Sequence, residues 1–157
     1  MADRFAVGPQ PLDPAEVTAA VADPACGAVA TFIGTVREHN VGRRVEYLEY
    51  EAFTPLALKS FGQIAEEAGD RWPGIRLAIR HRTGRVAIGE ASVVIAAASA
   101  HRRDAFAACR YAIERIKQIA PIWKHEHFDG GEVWIEGATA DPLDEAARRT
   151  ALERACS

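Results

Sequence analysis

Residues 113–127, IERIKQIAPIWKHEH, carry a helical pattern up to a proline and resume beyond it as an alternating, aromatic-rich run. Upstream, RRDAFAACRYAIERIKQIA (102–120) spaces its apolar residues at helical intervals. Pro121 stops that helix because it lacks an amide donor and crowds the preceding turn. Downstream, PIWKHEHF (121–128) and EVWIEG (132–137) flank Asp129-Gly130-Gly131, the best hairpin signal in the chain. A long helix feeding directly into a hairpin, among helices and strands that do not alternate strictly, predicts an α+β fold.

The elements further out agree with this. LDPAEVTAAVAD (12–23) reads as a first helix, with Asp13 as its cap and Pro14 in its first turn. GAVATFIGTVR (27–37) is apolar and β-rich, and is expected to be a buried strand leading to Arg37. EHNVGR (38–43) reads as a polar loop, and RVEYLEYEAF (44–53) alternates like a half-buried strand. Thr54 and Pro55 open a long helix that ends at Pro73-Gly74. Three strands follow, IRLAIRHRTG, RVAIGE and ASVVIAAASA, punctuated by Gly84 and Gly89. Residues 1–140 read as one domain. The remainder, 141–157, reads as a charged, weakly helical tail, either flexible or docked on a partner.

Composition narrows the function. With 157 residues, 48% apolar and 26% charged, the chain can bury a core without disulfides. A net charge of −3 gives no general field for nucleic acid, so any anion site must be local. Cys26, Cys109 and Cys156 are odd in number and show no metal or redox spacing, which fits a reducing cytoplasm. The start of the chain lacks signal-peptide features, and no apolar run approaches membrane-spanning length. A cytoplasmic location is therefore expected, with no nucleic acid and no membrane as partners.

Three places can carry chemistry. Lys117 and Lys124 bracket Pro121. On a helical wheel Phe106, Cys109, Ile113, Ile116 and Ala120 form the expected core stripe, with Lys117 at its edge and Arg102 pointing similarly. Lys117 either lays its stem over the core with its charge in water, or marks the polar end of a pocket. Lys124 sides with Ile122 and Glu126, opposite Trp123 and His125, so a Lys124–Glu126 ion pair is the plain alternative to a functional role. SAHRRDAF (99–106) places Ser99, His101 and Arg102 at a helix start. That is either a capped end with solvated arginines or an anion site. Arg37, on its glycine-bearing loop, is a second positive spot. His125 and His127 share a strand face, with His39, His81 or His101 as third ligands, but no cysteine or carboxylate completes a recognised zinc spacing, and no metal is expected. Hydrolase-elbow, phosphate-loop and dinucleotide motifs are absent.

Four motifs occur together: F-x-G-x-V-R (32–37), H-R-x-G (81–84), A-H-R-x-x-A-F (100–106) and P-I-W-K (121–124). In this order and spacing, across residues 5 to 137, the chain resembles the large, catalytic subunit of molybdopterin synthase, the MoaE family. The resemblance implies an α/β hammerhead with an added antiparallel β subdomain. It implies a sulfurtransferase of molybdenum cofactor biosynthesis, inserting two sulfurs into cyclic pyranopterin monophosphate (precursor Z) to make the dithiolene of molybdopterin. The sulfur donor would be the thiocarboxylated C-terminal Gly-Gly of a small ubiquitin-like subunit, so no cofactor is implied. The assembly would be a heterotetramer built on a homodimer of this chain. Lys117 and Lys124 would be catalytic. Substrate would be bound by Arg37, His101 and Arg102, with Thr35, Val36, His125 and Glu126 lining the same pocket. Where some members carry an arginine, Ala138 stands here, and Arg43 or Arg44 is the expected substitute. A non-catalytic pterin- or phosphate-binding module on the same scaffold is the alternative, as is a scaffold that only docks the small subunit.

Overall fold

The computed structural model describes residues 3–135 and 137–157. In chain order the elements are β1 (Phe5–Gly8), α1 (Pro14–Ala20), β2 (Ala28–Thr35), β3 (His39–Asn40), β4 (Arg43–Ala52) and α2 (Thr54–Arg71). They continue as β5 (Arg76–Arg82), β6 (Gly84–Ala87), β7 (Ala91–Ser99), α3 (Arg102–Ile119), β8 (Ile122–Phe128), β9 (Gly131–Ile135) and α4 (Glu145–Cys156). Two sheets result. The first runs β1-β5-β7-β2, and the second runs β3-β4-β8-β9 with β6 also paired to β4. This is the mixed α+β architecture expected from the motif order.

The first sheet is covered on both faces, which explains the near-continuous apolar run of β7. Alternate residues go to different cores because successive side chains on a strand point oppositely. Leu77, Ile79, Ile95 and Ala97 pack with Phe61 and Ile64 of α2 and with α3. Ala78, Val94, Ala96 and Ala98 meet Val17 of α1 and Val21, which caps its C-terminus, on the other side. Each fully buried large aliphatic or aromatic side chain contributes about 1.5–3 kcal/mol of transfer free energy. Asp13 caps α1 by accepting from Ala15 N at 2.9 Å, with Pro14 in the first turn. The Asp129-Gly130 turn closes the β8–β9 hairpin, Phe128 pairing with Gly131.

Four expectations are corrected. β2 is an edge strand of its sheet, and Val29, Phe32 and Ile33 are exposed, with Ala30 its one buried residue. Phe106 leaves the core stripe and is 68% exposed. The rest of the stripe is borne out by buried Cys109, Ile116 and Ala120. α3 also turns inward Arg115, together with Ala105, Ala108 and Ala112, whose small side chains let it sit close to the sheet. The loop 38–43 contains β3, which pairs with β4 across Val41 and Gly42, both at positive φ (50° and 73°). The charged tail forms α4, which Asp144 caps by accepting from Ala146 N and which buries Ala151 and Ala155 in the main core. Gln118 holds α4 in place by donating to Ala147 O at 2.9 Å.

Tying these helices together is a buried ion pair that sequence reading missed. Arg115, fully buried, donates to Glu67 through Nε and Nη2, each at 2.8 Å. Tyr111 Oη donates to the same carboxylate at 2.7 Å. Burial alone would raise the Glu67 pKa, but the hydrogen bonds from Arg115, Gln63 and Tyr111 outweigh it and hold the carboxyl below its ordinary value. The same guanidinium reaches Gln118 Oε1 and Pro142 O, linking α2, α3 and the approach to α4.

Candidate active site

The chain passes directly between its two sheets after β2, after β5 and after β6, and a cavity of about 540 Å³ opens where they meet. One crossing follows β2. Its register with β7 slips between Gly34 and Thr35, turning the strand end toward Val36 and Arg37. Gly34 suits that bend, since a Cβ there would lie 2.7 Å from Val93 Cγ1. A second crossing is Thr83, between β5 and β6, with Gly84 at φ +78°. Thr35, Val36 and Arg37 line the cavity from the first crossing, and His81 does so from the end of β5. Val36 is also buried in the small core of the second sheet with Val45, Leu48 and Val86.

The proline junction supplies the two lysines. α3 ends at Ile119, and Phe53 N donates to Pro121 O at 3.1 Å, fixing the turn into β8. Lys117 therefore sits in the last helical turn and Lys124 three residues past the proline, and both line the same cavity. Lys117 is exposed at its mouth, whereas Lys124 is half-buried. Burial depresses the Lys124 pKa, and the charges of Lys117 and Arg37 depress it further, while Glu126 opposes them. The Lys124 ammonium thus gives up its proton more readily than an ordinary lysine.

Glu126 has partners other than Lys124. It is 1% exposed and accepts from Asn40 Nδ2 at 2.7 Å and Arg43 Nε at 3.0 Å. The tight β3–β4 turn brings both donors to it. With Glu126 so engaged, the positive charges of Arg37, Lys117 and Lys124 stand without a neutralising carboxylate among the described residues lining the cavity. Arg43 is committed to Glu126 and stacks over Phe128, its guanidinium carbon 4.9 Å from the ring centroid. Arg44 is exposed beside Glu38 at 4.0 Å. Ala138 does line the cavity, and neither arginine stands there in its stead.

His81, Tyr50 and Ser92, all part of the wall, escaped the sequence reading of the site. Burial drives the His81 pKa down to about 4, with the Lys117 charge pushing the same way, so its ring is neutral at physiological pH. Its Nδ1 lies 2.9 Å from Arg82 O, the contact of a protonated Nδ1. Tyr50 packs edge-on against that ring at 5.0 Å, and burial raises its hydroxyl pKa. The H-R-x-G motif was the available signal for His81. Tyr50 and Ser92 carried none.

Three of the expected site residues lie elsewhere. His125 faces away from the cavity and stacks on Trp134, with centroids 4.4 Å apart. This follows from strand alternation, since its neighbours Lys124 and Glu126 point inward. His101 and Arg102 are exposed at the opposite end of α3. His101 occupies the N-cap position, yet its side chain makes no capping hydrogen bond.

Residues 7–119 match the model of the MoaE protein family. The molybdopterin synthase catalytic subunit of Halalkalibacterium halodurans is 51% identical over 132 residues, 84% of this chain and 85% of that one. The crystal structure of molybdopterin synthase from Staphylococcus aureus superposes with a TM-score of 0.83 at 42% identity, covering 85% of this chain and 98% of that chain. The Helicobacter pylori complex of subunits 1 and 2 of molybdopterin-converting factor shares the fold, with a TM-score of 0.71 at 24% identity over 88% of this chain and 94% of that one. Matched over most of its length by the family model and by a curated relative, the chain belongs to the MoaE protein family.

Proposed function

We propose that this chain is the catalytic subunit of a molybdopterin synthase. It transfers two sulfurs to cyclic pyranopterin monophosphate, one from each of two thiocarboxylated C-termini of a small ubiquitin-like subunit, forming the dithiolene of molybdopterin. One observation carries this reading: Lys117, Lys124 and Arg37 meet in one cavity whose buried carboxylate is already engaged. A thiocarboxylate is nucleophilic without activation. What the protein must supply is positive charge for two anions, stabilisation of the negative charge that develops, and a proton for the departing oxygen. Lys117, at the exposed mouth, takes the central role. Lys124, with its depressed pKa, supports it electrostatically and holds the incoming tail.

The working unit is a homodimer within a heterotetramer. Exposed Val29, Phe32 and Ile33 on the edge strand β2, and exposed Phe106 on α3, support an interface there. Arg102 lies one helical turn before Phe106, so an interface over this region would carry it and His101 toward a neighbouring protomer. The test is reconstitution: purified protein, a thiocarboxylated small subunit and precursor Z should yield molybdopterin. Binding of the precursor without product, using verified substrates, would instead support a non-catalytic pterin-binding module.

A further inference from the structure

On the face of the second sheet turned away from the cavity, four chemically able side chains converge. Glu49 of β4 lies directly opposite His125 of β8, and Glu132 of β9 lies opposite His127. One potential ligand atom from each of Glu49, His125 and His127 falls within 4.8 Å of the other two. His127 is the centre of the group. Its Nε2 lies 2.7 Å from Glu49 Oε1, yet this buried atom makes no hydrogen bond, because the carboxylate is not where an N–H would point. Its Nδ1 lies 3.3 Å from Glu132 Oε2. A carboxylate at Nδ1 favours the tautomer that leaves Nε2 with a free lone pair. Two electron-rich atoms at that separation with no hydrogen bond between them repel, and a cation bound by both relieves the repulsion.

Both rings are held before any ligand arrives. His127 stacks on Tyr47 at 4.3 Å and 14°, and His125 stacks on Trp134 at 4.4 Å and 11°. The Arg85 guanidinium sits 3.9 Å from the Tyr47 centroid and backs that stack. We infer that Glu49, His125 and His127 form a binding site for a divalent transition-metal ion of the zinc class, with Glu132 as the outer acceptor that orients His127. Two imidazole nitrogens and one carboxylate oxygen suit zinc, whereas magnesium and calcium prefer oxygen alone. Bonds of about 2 Å require only small movements of side chains already this close. Half-exposed Glu49 leaves room for water as a fourth ligand. The ion would clip β4 to β8, the strand whose other face presents Lys124 and Glu126. Spacing along the chain could not reveal the set, because its carboxylate comes from a different strand.

Chelator-treated full-length protein, titrated with zinc chloride by calorimetry, should take up one equivalent. His127→Ala and Glu49→Gln should weaken binding about a hundredfold, and Glu132→Gln about tenfold, as expected for an outer-shell partner. Cys156→Ser should leave it unchanged, and circular dichroism should show each variant folded. Cobalt(II) substitution should give a visible spectrum without thiolate charge-transfer bands. Absence of saturable one-equivalent uptake would overturn the site. Uptake that persists unchanged in both folded variants, His127→Ala and Glu49→Gln, would also overturn it.

Discussion

Arg102 and Lys117 stand at opposite ends of one helix, 15 residues apart in α3. At about 1.5 Å per residue their backbones are separated by roughly 22 Å. One small pterin cannot be gripped by both from the same chain. If both act on one substrate, the site is shared across a two-fold interface. Mixing inactive Arg102→Ala with inactive Lys117→Ala protein under subunit exchange should then restore partial activity. Mixed dimers would hold one pocket with both residues intact. No recovery despite measured exchange would mean that each protomer builds its pocket alone.

Lys117→Ala should reduce product formation about a hundredfold or more, the usual cost of removing a charge that stabilises a transition state. Because Lys117 is exposed, its loss should leave the unfolding midpoint nearly unchanged. Lys124→Ala should also slow turnover, with more of its effect on the affinity for the small subunit's tail. Single-turnover assays and tail-peptide titrations separate the two contributions, and unchanged tail affinity would remove the second role.

His81 should make the protein acid-sensitive in a defined window. Its folded pKa, about 4, lies below the ordinary 6.5, so between these values the unfolded chain binds more protons. Stability therefore falls as pH drops from 6.5 toward 4, by about 3 kcal/mol in all, and this contribution flattens below 4. Urea unfolding of wild type and His81→Phe at pH 7 and pH 4.5 should show a clearly smaller pH loss in the variant. Equal losses would assign the acid sensitivity to other groups.

Arg115→Met should destabilise the fold by about 3–5 kcal/mol, because it leaves the Glu67 carboxylate buried without its cation. Removing both charges with Arg115→Met and Glu67→Leu should cost less than the sum of the single changes. A double-mutant cycle in denaturant reads that coupling directly. Additive losses would mean that the pair contributes independently.

Val41 is a β-branched residue at φ +50°, and it is 84% exposed, so it gives up backbone comfort without burying its side chain. With Gly42 also at positive φ, the turn suits Asn-Gly. Val41→Asn should stabilise the protein by about 1 kcal/mol, visible as a higher urea midpoint. A lower midpoint would show that the valine side chain makes a contact of its own in solution.

Much of this protein was legible in local pattern. Pro121 and Asp129-Gly130 marked the α3–β8–β9 unit because helix termination and hairpin turns depend on a few adjacent residues. That placed Lys117 and Lys124 either side of one turn, and the four motifs named the family. Tertiary structure decided which faces met. Phe106 and Cys109 share a helical stripe on a wheel, yet Cys109 is buried and Phe106 is not. The wheel gives relative azimuth, and only the packed sheet gives its origin. The apolar character of β2 could not reveal that it lies at an edge, because strand order depends on pairings distant in sequence. Arg115 looked like any surface arginine until Glu67, 48 positions earlier, met it in the core. Asn40 and Arg43 reach Glu126 across more than 80 residues in the same way. Periodicity, capping and turns are short-range and determine which elements form. Burial and ion pairing are long-range, so the cavity wall and the exposed faces took shape only when the two sheets came together.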